Sequence, residues 1–133
     1  MNELEEIKIE NLIYEIRGKQ VMLDSDLARL YKCKNGTKSI NLAMKRNVER
    51  FPYDFCFQLT EEEYRSLRFQ IETLNNSNTN RGQNIKYMPY VFTEQGVAML
   101  SSLLKTEISS KVSINIMRAF VSMRKYNRTS IYK

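Results

Sequence analysis

Ammonium, guanidinium and amide groups are concentrated in one short stretch of this sequence. Residues 29–50 contain seven Lys and Arg residues and one acidic residue, Glu49, in a chain of 133 residues whose net charge is +6. Clustered cations form the electrostatic footprint of a phosphate-binding face, and side-chain amides can read base edges. The stretch therefore predicts a surface for an acidic partner, with an ordinary solvated surface as the alternative.

Within this stretch, residues 37–49 have the spacing of a helix with two different sides. At about 100° per residue, one side holds Ile40, Ala43, Met44 and Asn47, and the other holds Lys38, Asn41, Leu42, Lys45 and Glu49. We predict that Lys38, Asn41 and Lys45 face DNA. Asn47 lies on the apolar side, so we interpret it as a structural hydrogen-bonding residue.

Three further cations are predicted to bind phosphates at the edges of that face, namely Lys34, Arg46 and Arg50. Phosphate contacts position a protein on nucleic acid but carry no sequence information. In the predicted site the amide of Asn41 is the group suited to reading a base edge, such as that of adenine.

A shorter helix is predicted just before the cationic one. Asp24 is a favourable N-cap residue, and residues 25–31 follow it with a helical pattern. Asn35 and Gly36 are typical of a turn. Thr37 is then predicted to cap the second helix, which we expect to reach about Glu49. Two helices joined by a short turn within a basic segment predict a helix-turn-helix.

Short strands are predicted on both sides of this helical unit. Two apolar runs around Gly18, within residues 13–23, are typical of a β-hairpin. Residues 50–59 form a second strand-like segment. Residues 85–92 form a third, which Pro89 should restrict to a sheet edge. We expect the last two segments to pair as a small wing.

Three helices complete the predicted fold. Thr60 and Glu63 have the spacing of a capping box, before a helix that extends to about residue 73. Thr93 is predicted to cap a helix over 95–104, in which Gly96 permits close packing against a neighbour. The last helix is predicted to run from a cap at residue 109 or 110 to about residue 126. Between the first two of these helices, the Asn-rich tract 75–84 is predicted to be an exposed loop.

These elements predict an α+β fold with a helix-turn-helix-like core, short antiparallel β-hairpins and a C-terminal helix. We expect one domain over residues 1–126 and a tail, the beginning of a linker, over 127–133.

Several kinds of chemistry find no support in the sequence. The chain has no His and two cysteines, Cys33 and Cys56, which excludes imidazole metal ligands and His-based triads. No paired acidic motif stands out, so we predict no catalysis, no cofactor and no metal. A nuclease is the minor alternative.

The N-terminal residues show no signal peptide, and the longest nearly apolar run, 97–104, is far shorter than the roughly 20 residues of a membrane span. We therefore expect a cytoplasmic protein with no membrane partner.

The chain resembles the phage open reading frame six N-terminal domain family (ORF-six-N), which is related to the KilA-N and Bro-N domains. Five ordered stretches carry the resemblance, 16–24, 45–52, 54–60, 89–100 and 115–121, and the similarity spans residues 8–126. The resemblance implies a DNA-binding module of a phage or prophage regulator or antirepressor, often followed by a separate C-terminal domain.

Two hypotheses of function follow. In the first, the helix at residues 37–49 enters the major groove of double-stranded DNA, and a homodimer contacts two half-sites. In the second, the domain is a protein-interaction module, and the cationic face binds a repressor or another acidic partner instead of DNA.

Overall fold

A four-stranded antiparallel sheet forms the centre of the structure, a computed structural model that describes residues 8–75, 87–104 and 106–131. Its strands are β1 (Tyr14–Ile16), β2 (Lys19–Leu23), β3 (Cys56–Gln58) and β4 (Tyr90–Thr93), in the spatial order β1-β2-β4-β3. The helices are α1 (Asp24–Leu30), α2 (Thr37–Lys45), α3 (Glu61–Asn75), α4 (Glu94–Leu104) and α5 (Glu107–Ile131). Short 3-10 turns lie at Ile9–Leu12 and Val48–Arg50. The α+β prediction is confirmed.

Side chains alternate between the two faces along each strand, and helices cover both faces of the sheet. Met22, Cys56 and Phe92 share one face, where α1, α2, α4 and α5 contribute to the larger core. Val21, Leu23, Phe57 and Val91 share the other face, where they pack with Leu67 of α3. The fold is thus a sheet between a four-helix layer and a single helix.

Strand β4 is central, so the prediction that it lies at a sheet edge is wrong. It pairs with β2 on one side and with β3 on the other. The strand begins at Tyr90, after Pro89, so the missing N–H of proline costs the ladder nothing. The Pro89 carbonyl still accepts a hydrogen bond, at 3.0 Å, from the Leu59 N–H.

The predicted hairpin at residues 13–23 is confirmed as β1 and β2, which pair across the turn Arg17–Gly18. The strand expected over 50–59 is limited to Cys56–Gln58. Residues before it are occupied by the 3-10 turn Val48–Arg50 and by a second turn, in which the Phe55 and Cys56 N–H groups donate to the Pro52 carbonyl.

Two predicted helix starts are confirmed by their side-chain bonds. At α3, the Glu63 N–H donates to Thr60 Oγ1 at 3.1 Å and the Thr60 N–H donates to Glu63 Oε1 at 2.8 Å. At α4, the Gly96 N–H donates to Thr93 Oγ1 at 3.3 Å. The cap of α3 is the reciprocal capping box and that of α4 is a single side-chain cap, as expected from Thr at these positions.

Three other helix starts differ from the prediction. Asp24 is the first residue of α1, rather than its N-cap. Thr37 is likewise the first residue of α2, after Gly36 at a φ of 62°. Helix α5 begins at Glu107, before the predicted serines, because Thr106 and Ser109 cap each other's backbone N–H groups.

Two helix ends also differ. Helix α2 stops at Lys45 instead of Glu49, and α5 continues to Ile131 instead of about residue 126. The predicted loop lies outside the described residues over 76–84. The domain boundary at residue 126 and the linker stay predictions.

At Gly96, α4 lies directly against the backbone of Phe55, in the turn before β3. A Cβ at this position would overlap the Phe55 carbonyl oxygen, which also accepts the Thr93 N–H at 3.0 Å. The close approach predicted for Gly96 is confirmed, and it connects α4 directly to the turn before β3.

Replacing this glycine tests the packing. Ala normally stabilises a helix relative to Gly by about 0.5–1 kcal/mol. We expect the opposite for Gly96→Ala, a loss of about 1–3 kcal/mol or more in the free energy of unfolding, because the methyl group meets backbone that cannot rotate away. Urea unfolding measures the change. The exposed Ala98 on the same helix is the control, since Ala98→Gly should show the ordinary helix preference. A more stable Gly96→Ala protein would contradict this packing.

Candidate nucleic-acid interface

Helix α2 presents two sides of different chemistry, as its sequence predicts. Ile40 and Met44 are buried in the larger core, at 0% and 4% exposure. Lys38, Leu42 and Lys45 are exposed on the other side. The packing of α2 on α1 and α4 therefore turns its cationic side outward.

The five predicted cationic site residues are all exposed, and they lie along one continuous stretch of chain: Lys34, Lys38, Lys45, Arg46 and Arg50. Lys34 belongs to the turn before α2, and Arg50 to the 3-10 turn after it. None of the five forms an ion pair with a carboxylate among the residues that the structure describes.

Five arginines elsewhere behave differently. Each one pairs with a carboxylate, as in Arg17–Glu63, Arg29–Asp26, Arg65–Glu61, Arg68–Glu72 and Arg124–Glu94. Their charges are compensated within the fold, whereas the charges along residues 34–50 are available to an external anion.

Lys45 has an aromatic neighbour. Its Nζ lies 5.5 Å from the centroid of the Tyr90 ring, within the range of a cation–π contact. The contact relates the last turn of α2 to the first residue of β4 and leaves the ammonium group exposed.

Asn41 is placed differently from the other predicted site residues. Its side chain is half-buried, and its Nδ2 donates a hydrogen bond of 3.1 Å to Asp24 Oδ2. Its Oδ1 is buried and has no hydrogen-bond partner among the described residues. In this arrangement the amide is committed to Asp24, and a base contact by Asn41 would require that bond to break.

Asp24 is the buried polar centre of the site. Only 2% of its surface is exposed, and it accepts from the Ser25 N–H at 2.7 Å, from Asn41 and from the Tyr90 N–H at 3.0 Å. Burial raises the pKa of this carboxyl, although the three hydrogen bonds oppose the rise. These bonds join α1, α2 and β4 at one carboxyl group, a role that the sequence did not predict.

Asn47 has the structural role predicted for it. Its Nδ2 donates to the Ala43 carbonyl at 2.9 Å, one turn back along α2. The bond satisfies a carbonyl at the end of the helix, where the chain turns towards Val48.

Sequence reasoning also missed a clamp around Arg17 in the β1–β2 turn, where this residue has a φ of 56°. Its guanidinium forms two hydrogen bonds to Glu63, of 2.7 and 2.9 Å, and lies over the Phe57 ring at 4.3 Å. These bonds lower the pKa of Glu63 to about 2. The clamp fastens the hairpin to the start of α3. Arg17-Gly18 signals the turn, but nothing local signals a partner 46 residues away.

The cysteines and carboxylates offer little chemistry of another kind. Cys56 is buried, which raises the pKa of its thiol to about 12 and disfavours a reactive thiolate. Across residues 8–75, 87–104 and 106–131, no group of His, Cys, Asp or Glu is arranged to hold a metal ion. Within the same residues, no helix has the length and apolar character of a membrane span.

The fold and the site together define a small α+β domain in which helix α2, packed on α1, exposes a cationic face. The chain matches the ORF6N domain family over residues 11–103, more than half of its length, and it therefore belongs to that family. The resemblance found in the sequence is confirmed, and the membership suggests a phage-type regulatory domain. Helix α5 lies beyond the matched residues.

No curated protein and no solved structure matches the chain.

The carboxyl of Asp26, in the first turn of α1, makes the stability of the domain depend on pH. Burial raises the pKa of Asp26 from 3.8 to about 6, opposed by Arg29 and reinforced by Asp24. A raised pKa means that the folded protein favours the protonated form. Below about pH 4 the carboxyl is protonated in both the folded and the unfolded chain, so Asp26 does not lower the free energy of unfolding. As the pH rises to about 6, the unfolded chain ionises more readily than the folded one, and the free energy of unfolding falls.

We expect Asp26→Asn to raise the free energy of unfolding at pH 7 by about 1–3 kcal/mol. Near pH 4 the parent and the variant should converge. Urea unfolding at both pH values measures the effect, and Asp54→Asn, at an exposed carboxyl, is the matched control. A gain that is the same at pH 4 and pH 7 would show that ionisation of Asp26 is not its cause.

Proposed function

We propose that this domain binds double-stranded DNA through α2, and that it acts as the DNA-binding module of a phage or prophage regulator or antirepressor. The observation that carries the proposal is the set of five exposed cations within residues 34–50, which have no carboxylate partner among the described residues. Lysine and arginine side chains neutralise phosphates and release their counterions, and this supplies most of the non-specific affinity for duplex DNA.

The dimensions of α2 suit the major groove. An α-helix with its side chains is about 10–12 Å across, and the major groove is about 12 Å wide and accepts one. The 9 residues of α2 extend about 13.5 Å along the helix axis. Lys38 lies in the first turn and Lys45 in the last, about 10.5 Å apart along the axis. With Lys34 before α2 and Arg50 after it, both ends of the helix offer cations to the phosphates that border the groove.

Between the two lysines, Leu42 is 38% exposed at the centre of the outer face. An apolar side chain in this position can contact the C5-methyl group of thymine. Because the Asn41 amide is held by Asp24, direct readout by α2 would begin with this apolar contact. Most of the affinity would come from phosphate contacts and would not depend on the DNA sequence.

Salt dependence of binding tests the proposal. We expect Lys45→Ala and Arg50→Ala to weaken binding to random duplex DNA, each because one phosphate contact is lost. The slope of log K against log salt should become shallower by roughly 0.9 per lost contact. Fluorescence anisotropy of a labelled duplex across a salt series measures both quantities. Lys111→Ala, at an exposed lysine of α5, is the control.

A second measurement separates DNA from a protein partner. The parent is titrated with the duplex in the presence of an acidic polypeptide of the same total charge. Preference for the duplex supports a DNA-binding domain. Equal binding of both, or parental binding by Lys45→Ala and Arg50→Ala, would contradict the assignment of α2 and would favour the interaction module. Asn41→Ala is interpreted together with its melting temperature, because the amide also holds Asp24.

A further inference from the structure

A cleft of about 570 Å³ opens between α2 and α3. Its other walls are the junction of β2 with α1 and the segment before β4. We name it the α2–α3 cleft and define it by six of its lining residues, Lys38, Lys45, Tyr64, Leu67, Ile71 and Tyr90. The volume is within the range of small-molecule sites, about 300–1,000 Å³.

The interior of the cleft is mainly apolar. Leu67 of α3 is 3% exposed and forms part of the core between the sheet and α3, against which Tyr64 and Ile71 pack. Leu23 lines the opposite wall. The cleft is therefore suited to the apolar body of a ligand, and burial of that body would supply most of the binding energy.

The charges of the cleft lie at its α2 wall. Lys38 and Lys45 line it, both exposed, and neither forms an ion pair with a described carboxylate. Arg68 also lines the cleft, but its guanidinium is held by Glu72 at 2.9 Å. The two lysines are therefore the cations that an anionic ligand would meet.

Asp24 determines which way such a ligand must point. Asp24 lines the cleft, but it is only 2% exposed, and its carboxyl already accepts three hydrogen bonds. It offers no charge to attract a second acid group and would repel one when ionised. The acid group of a ligand must therefore stay with the lysines, while its apolar body contacts Leu67 and Ile71.

We propose that the α2–α3 cleft binds a small organic acid, with an apolar ring or branched body between α2 and α3 and its acid group at one of the two lysines of the α2 wall, Lys38 or Lys45. A consequence, which rests on the proposed function, is that this ligand competes with DNA, because the same two ammonium groups would bind the phosphates. The cleft would then make DNA binding sensitive to a metabolite or signal of this chemical class.

The fluorescent probe 8-anilinonaphthalene-1-sulfonate has the required chemistry, a flat apolar body with one anionic group. Its neutral counterpart N-phenyl-1-naphthylamine has nearly the same body without the sulfonate. We expect the intact chain to bind the sulfonate saturably at one site, and several times more tightly than the neutral probe.

Substitutions at the cleft wall then test where the sulfonate binds. Lys38→Ala with Lys45→Ala should weaken sulfonate binding by about tenfold and leave the neutral probe nearly unaffected, because each exposed charge contributes a few-fold. Lys111→Ala is the control for a general loss of charge. Thr37→Glu and Thr37→Gln provide a second comparison at the cleft wall. A carboxylate in the first turn of a helix does not destabilise it, so the Glu variant should fold and bind the sulfonate about threefold more weakly than the Gln variant.

The two proposals fail in different ways. If the sulfonate binds the double lysine variant and the parent equally, or binds with no saturation, the cleft proposal is wrong whatever DNA does. If the sulfonate binds as expected but the parent shows no affinity for duplex DNA, the cleft proposal stands and the DNA-binding proposal is wrong. If both ligands bind, saturating sulfonate should release the labelled duplex, and simultaneous binding would overturn the competition.

Discussion

The arrangement of the candidate interface depends on one buried carboxyl group. Asp24 begins α1 directly after β2, and its oxygens accept from the backbone of α1, from the side chain of α2 and from the backbone of β4. A buried acceptor without donors is costly, and a buried charge is more so. The three donors must therefore stay in place together, which holds α2 at a defined position beside the central strand. The outward direction of Lys38 and Lys45 is a consequence of that position.

The two-faced sheet provides the rigid support for this anchor. Strand β4 lies between β2 and β3, and helices cover both of its faces, so that Phe92 is buried towards the four-helix layer and Val91 towards α3. The Tyr90 N–H that binds Asp24 belongs to the first residue of that strand. Asp24 is thus bonded to the central strand of the sheet, and motion of α2 relative to the sheet would disturb its hydrogen bonds to Asn41 and to Tyr90.

Local patterns predicted most of the elements, and long-range contacts explain what they missed. The spacing of Ile40 and Met44 was enough to orient α2, and Thr60 with Glu63 was enough to begin α3, because these signals act within one or two helical turns. Pro89 was misleading, since a proline just before a strand and a proline inside an edge strand look alike in sequence. Asn41 was placed on the cationic side by its angle alone. Its hydrogen bond to Asp24 spans 17 residues, and no periodicity contains such information. The same is true of Arg17 and Glu63, which are 46 residues apart.

The cations of the domain fall into two groups, those paired with carboxylates inside the fold and those exposed on α2 and its flanking turns. Arg17, Arg68 and Arg124 each meet a carboxylate and join elements of the fold or neighbouring turns of a helix. Lys38 and Lys45 have no such partner among the described residues, yet their positions are held indirectly, by the burial of Ile40 and Met44 and by the bond from Asn41 to Asp24. In the two proposals these amines bind an external phosphate and the acid group of a small ligand in the α2–α3 cleft, and they cannot bind both at full strength. Competition between the two ligands would therefore require no change of conformation. It follows from the position of Lys38 and Lys45, which lie on the exposed side of α2 and also line the α2–α3 cleft.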